Sequence, residues 1–101
     1  MFVATCEIDL LLGDVHSLKE KRAVVRPIMG ALRRRFDVVV AETDYQDLHR
    51  RAQITAAAVS STAGHARDTV SECESWVAAR PEVMVTEVRR RVFGGDDEGV
   101  Q

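Results

Sequence analysis

The feature that most limits how this chain can fold is the alternation from Phe2 to Leu12. Phe2, Ala4, Cys6, Ile8, Leu10 and Leu12 fall on one side of an extended backbone, and Val3, Thr5, Glu7, Asp9 and Leu11 on the other. Such a segment is a strand with its even positions inward. The next stretch, Ser17 to Phe36, changes period. It opens on a capping signal, Ser17 with Glu20 three residues later. Leu18, Val24, Val25, Ile28, Leu32 and Phe36 then gather on one side at 100° per residue. This is an amphipathic helix to about Arg35. Pro27 lies inside it on the side away from the core, where one bent helix is expected rather than two short ones.

Asp37 to Thr43 reads as a short β-branched strand, followed by a turn at Asp44-Tyr45-Gln46-Asp47. Leu48 to Arg51 leads into a further strand ending near Ser60, with Ala52, Ile54, Ala56 and Ala58 on one face and Gln53, Thr55 and Val59 on the other. Small inward residues suit a strand on which a helix lies closely. Ser60-Ser61-Thr62 caps a second helix from Ala63 to about Arg80, with a core stripe of Ala66, Val70, Cys73 and Val77 and Trp76 beside it. Pro81 stops it, and Glu82 to Phe93 gives the last strand. The order β-α-β-β-α-β predicts an α+β ferredoxin-like plait, a four-stranded antiparallel sheet with two helices on one face. Residues 1–93 form one domain in this reading, and 94–101 a flexible acidic tail.

Charge is unevenly spread. The net charge of −2 argues against a protein that coats nucleic acid over its whole surface. Between Lys19 and Arg35, however, stand Lys19, Lys21, Arg22, Arg26, Arg33, Arg34 and Arg35 against the single acid Glu20. Removing the three tail acids Asp96, Asp97 and Glu98 leaves the preceding domain at about +1. Lys19, Arg22, Arg26 and Arg33 occupy an arc of roughly 60° and run about 21 Å along the helix. Guanidinium groups one helical turn apart suit a row of phosphates. The plainer alternative is a solvated edge, or pairing with Asp68, Glu72 and Glu74 of the second helix. Arg33 to Arg35 also complement the helix dipole in the last turn.

Other chemistries have less support. The open sheet face carries Val3, Thr5, Glu7, Asp9, Gln53 and Thr55, with no aromatic platform for stacking bases. His16, His49 and His65 are scattered. Asp14 with His16, and Asp47 with His49, would meet only if the loop after the first strand and the turn after the second shared one end of the fold. No zinc, calcium or phosphate-loop motif occurs, so neither metal nor cofactor is expected. Cys6 and Cys73 lie within apolar patterns as core residues, without a disulfide framework, which fits a reducing cytoplasm. The chain opens directly on its first strand without a signal-peptide pattern. No apolar run approaches the ~20 residues that cross a bilayer, so no membrane partner is expected. Small acyl-phosphate hydrolases share the plait but need an anion-cradling loop with an Arg after strand 1. This chain has Gly13-Asp14-Val15-His16 there.

The residues Met1 to Phe36, VAETDYQDLHRRAQITAAAVS and the closing VRRRVFG resemble the YlxP-like family, a bacterial domain of unknown function. The most specific parts are Ser17-Leu18-Lys19-x-Lys21-Arg22 and Gln46-Asp47 with Arg51-Ala52 after them. The resemblance implies a ferredoxin-like fold. Through genes that tend to neighbour the family, it also implies a link to translation. It supplies no catalytic residues to carry over, and His49 stands where the family's aromatic is common. The expectation is therefore a non-enzymatic cytoplasmic module that contacts RNA or a ribosomal particle through Lys19, Lys21, Arg22, Arg26 and Arg33. Arg50, Arg51 and Arg89 to Arg91 are secondary candidates. The alternative is a homodimeric interaction module using the open sheet face or an edge strand. A small-ligand sensor with a pocket at a dimer interface is a third reading. A site built from Asp14, His16, Gln46 and Asp47 is the form an unusual enzyme would take.

Overall fold

The computed structural model describes residues 1–95. Its elements run β1 (Phe2–Leu12), α1 (Leu18–Arg35), β2 (Val39–Asp44), β3 (Arg51–Ser60), α2 (Ala63–Ala78) and β4 (Val83–Gly94). The sheet is antiparallel in the order β2-β3-β1-β4, which with the two helices makes the ferredoxin-like plait. Gly94 ends β4, and the Gly95 N–H donates to the Met1 carbonyl at 3.2 Å, so these two glycines extend the ladder beside β1. The rest of the acidic tail, 96–101, lies outside the described residues.

The alternation in β1 does what its period requires. Ala4, Cys6, Ile8, Leu10 and Leu12 are all buried, and the partner strand β3 buries Ala52, Ile54, Ala56 and Ala58 on the same side. The alanines make a flat floor on which helices approach closely. The α2 stripe buries Ala66, Val70, Cys73 and Val77, as its period predicts. In α1 the buried residues are Lys21, Val25, Ile28 and Leu32, with Val24, Met29 and Phe36 partly buried around them. Pro27 is exposed within a single helix.

Caps act as the sequence implies, with one difference. Ser17 Oγ accepts the Glu20 N–H at 3.1 Å, but the Glu20 carboxylate takes the N–H of His16, one residue ahead of the cap, at 3.2 Å. Thr62 Oγ1 accepts the His65 N–H at the start of α2. β2 begins two residues later than its composition suggests. Phe36 leaves the helix in an extended conformation and the Val38 N–H returns to the Phe36 carbonyl, so a turn occupies the start of the β-branched run.

Two substitutions separate the parts of this account. Leu32→Ala, at a fully buried site, should cost about 3 kcal/mol in urea denaturation. Pro27→Ala should raise stability by about 1 kcal/mol or more, because it restores the missing N–H to an exposed helical position. An unchanged or lower midpoint would mean that the proline's bend is needed for packing.

Candidate nucleic-acid interface

The outward side of α1 presents Lys19, Arg22 and Arg26, all exposed, around a shallow depression floored by Ala23 and Pro27. Among the described residues no carboxylate lies within 4.0 Å of any of the three. Arg33, farther along the stripe, is exposed but partly committed. Its Nη2 donates to the Val40 carbonyl at 2.7 Å and ties the end of α1 to β2. Arg34 lies against Gly30, where an added Cβ would meet its Nη1 at 3.2 Å. The Arg35 and Arg80 guanidinium groups stand 5.4 and 4.2 Å from the centroid of Trp76, within cation–π range.

Lys21 does not belong to this surface. It is only 2% exposed, and its Nζ donates to the Tyr45 carbonyl at 2.7 Å and lies 2.8 Å from Glu42 Oε2. The approach to Glu42 is off the hydrogen-bond direction. That buried oxygen thus has a counter-charge but no directed donor. A phosphate could reach Lys21 only by displacing this pair, so Lys21 is a structural cation. The signal was present in the sequence: 21, 25, 28 and 32 form one helical row, and Lys21 falls in the middle of the apolar arc.

Arg89 and Arg90 are likewise engaged. Arg89 lies on the uncovered sheet face, with Nη2 3.1 Å from Asp9, Nε 3.2 Å from Glu7, and Nη1 against Glu87. Those carboxylates, Asp9 foremost and Glu7 next, raise its pKa further above the ordinary guanidinium value. Arg90 points to the helical side and pairs with Glu74 of α2. Glu74 is therefore taken by β4, and among the described residues no ion pair joins the α1 stripe to α2. At the β2–β3 turn Arg51 stacks over Tyr45, 4.1 Å from its centroid, and Arg50 Nε donates to the Leu12 carbonyl at 3.4 Å. Tyr45 itself has φ +63°, a conformation uncommon outside glycine, held by Lys21 on its carbonyl and Asp44 on its N–H.

The loop after β1 and the β2–β3 turn do share one end of the fold. The Leu12 N–H donates to the Arg50 carbonyl at 2.8 Å, because β1 and β2 both run antiparallel to β3 and so finish together. Asp14 meets His16 within its own loop, Oδ1 to Nε2 at 2.6 Å. Among the described residues no group of three or more His, Cys, Asp or Glu side chains is placed to hold a metal ion. The thiols are buried. Desolvation first, with Glu74 beside one and Glu72 beside the other, pushes Cys6 up to about 12 and Cys73 to about 11. Protonated, enclosed sulfurs of this kind are poor nucleophiles.

The uncovered face holds a polar ladder that crosses all four strands. Gln53 Nε2 donates to Asp9 at 2.9 Å, Thr43 Oγ1 donates to Gln53 Oε1 at 2.7 Å, and Thr43 and Thr55 hydroxyls meet at 2.7 Å. With Arg89 at one end, this network leaves Asp9 only 5% exposed although no helix covers it. Phe93 also faces this side, opposite Val3, which strand-by-strand reading missed because it depends on the β1–β4 register. One edge aromatic does not make a stacking platform. No helix among the described residues is long and apolar enough to cross a membrane.

A family model described as "Protein of unknown function (DUF503)" matches residues 3–90. The chain belongs to the DUF503 family. It is also similar to "Uncharacterized protein YlxP" of Bacillus subtilis (strain 168), with 31% identity over 91 residues, covering 90% of this chain and 99% of that protein. DUF503 carries no assigned activity in its description, so function has to be argued from geometry.

Two outcomes test the cation and thiol assignments. Lys21→Ala should cost about 3 kcal/mol by stranding Glu42 and the Tyr45 carbonyl, whereas Arg22→Ala should change stability by less than about 0.5 kcal/mol. The thiols give a pH signature. Their folded values lie above the ordinary 9.0, so the unfolded chain releases these protons first. The stability they contribute is intact below that value and is lost as the pH climbs towards about 12 for Cys6 and about 11 for Cys73. Urea midpoints should fall above pH 9, and less steeply in Cys6→Ala and Cys73→Ala variants.

Proposed function

We propose that this chain is a non-enzymatic module that binds the phosphate backbone of structured RNA, free or in a ribosomal particle, through Lys19, Arg22, Arg26 and Arg33 on α1. The observation that carries the reading is the exposed trio Lys19, Arg22 and Arg26, unpaired among the described residues, on a helix edge whose neighbouring cation Lys21 is fully paired. Selective neutralisation leaves one stripe charged, and cations spaced by about one 5.4 Å helical turn can each meet a separate phosphate. Arg91, opposite Thr5, and Arg51, opposite Leu11, lie on the uncovered sheet face and so stand apart from this helix surface. In this reading the protein works in the cytoplasm and recognises backbone shape, since the sheet offers no base-stacking surface.

A second reading is favoured by a separate observation. Leu11, Val39, Val59, Met84 and Phe93 are large apolar residues, between 38% and 72% exposed, and all lie on the uncovered face. That concentration marks a protein interface, and it is compatible with RNA on α1 at the opposite side of the molecule.

The RNA reading is tested by titrating structured ribosomal RNA and ribosomal subunits over a range of salt. Four phosphate contacts predict a slope of log K against log salt of about −3 to −4, falling to about −1 in Arg22→Ala/Arg26→Ala/Arg33→Ala. Absence of binding at low salt, or equal binding by the variant, overturns it.

A further inference from the structure

The interface reading leaves the occupant of the uncovered face open, and the sheet register narrows it. Val3 pairs with Phe93, Thr5 with Arg91, Glu7 with Arg89, Asp9 with Glu87 and Leu11 with Met84. Directly opposed residues share a face. Along β1 and β4 the uncovered face therefore runs from an apolar end (Val3, Phe93) through Arg91, the Glu7–Arg89 pair and Glu87 to a second apolar end (Leu11, Met84). Read in either direction, this pattern is complementary to its own reverse.

We propose that the occupant is a second copy of this chain, packed sheet face to sheet face about a two-fold axis. The axis lies between the sheets, crosses the strands and passes at the level of Glu7 and Arg89. The proposal rests on the interface reading above. Rotation about that axis lays β4 over β4 of the second copy, running the opposite way. Phe93 and Val3 then cover Met84 and Leu11 of the second copy. Arg91 comes over Glu87 of the second copy, and symmetry makes the contact twice. Arg91 has no carboxylate of its own within 4.0 Å among the described residues, and Glu87 is exposed beyond its one contact with Arg89. At the axis Arg89 meets its own copy, but Asp9, Glu7 and Glu87 already neutralise it. The other face-to-face two-fold, parallel to the strands, would lay β4 over β2. It would set Arg89 and Arg91 against Ala41 and Val39, desolvating cations without counter-charges.

Four strands about 4.8 Å apart and about eight residues long give a footprint of roughly 500 Å². That is at the small end for a specific complex, where each partner buries about 800 Å² of accessible surface, so the dimer should be reversible. Its layers would run helices, sheet, sheet, helices. The two α1 stripes would face outward on opposite sides, and one dimer would offer two phosphate-binding edges.

Sedimentation equilibrium of the full chain from about 1 µM to about 500 µM should show mass rising from one copy to two. Phe93→Ser should leave a monomer. Arg91→Glu and Glu87→Arg should each weaken association at least about tenfold, since each places like charges together twice. The double variant Arg91→Glu/Glu87→Arg should recover most of the loss, with circular dichroism and thermal melts reporting that each variant is folded. A wild type that stays monomeric overturns the second copy as occupant and leaves the interface open to another protein. A dimer that ignores all the substitutions overturns both this proposal and the interface reading. A dimer broken by Phe93→Ser but not rescued by the double variant keeps the face and overturns the two-fold arrangement.

Discussion

The structure depends on one strand being paired on both edges and covered on one face only. β1 sits between β3 and β4, so its even side chains form the centre of the core and its odd ones the centre of the bare surface. Neither set can shift, because a slip of one residue would expose Ile8 and Leu10 and bury Glu7. The helices take their positions from this strand and its alanine-rich partner. The two surfaces argued for above follow from that division: charge on the outward side of α1, and mixed apolar and ionic residues on the face the helices leave open.

Lys21 shows how an ionic group can sit in such a core. It occupies a position that the helix would normally fill with Leu, and its stem packs there while its ammonium serves Glu42 and the Tyr45 carbonyl. It thereby links α1, β2 and the β2–β3 turn. Burying a charged pair is a poor way to gain stability, since desolvation offsets most of the attraction. Its effect is on conformation: it holds Tyr45 in a left-handed geometry, from which the ring meets Arg51. The same contact removes a positive charge from the helix surface and sharpens the boundary of the remaining stripe.

The fold was legible because its periods were clean. The order of elements, the inward faces of β1 and β3, the α2 stripe and both caps follow from spacing within short windows of sequence. The charged residues were harder, because their state depends on partners far along the chain. Arg89 reads as a free cation beside Arg90 and Arg91 until the register brings Glu7 and Asp9 against it from some eighty residues away. Glu74 looks like a partner for α1 until β4 claims it through Arg90. Lys21 is different. Its position in the apolar row was available at 100° per residue, and its residue type masked it. The meeting of the first loop with the β2–β3 turn needed only the rule that β1 and β2 run in the same sense.

The pairing of β1 with β4 also bears on how the chain is made. β4 closes onto β1 across separations that reach ninety-four positions, from Met1 to Gly95. A ribosome releases β1, α1, β2, β3 and α2 before the last strand emerges, so β1 meets its β3 partner first in the chain and its β4 partner last. Until β4 arrives, the central strand has a bare edge, with Cys6, Ile8 and Leu10 only partly enclosed. Arg89 then has two roles: its strand covers the open edge of β1, and its guanidinium brings to Glu7 and Asp9 the only counter-charge that either has among the described residues.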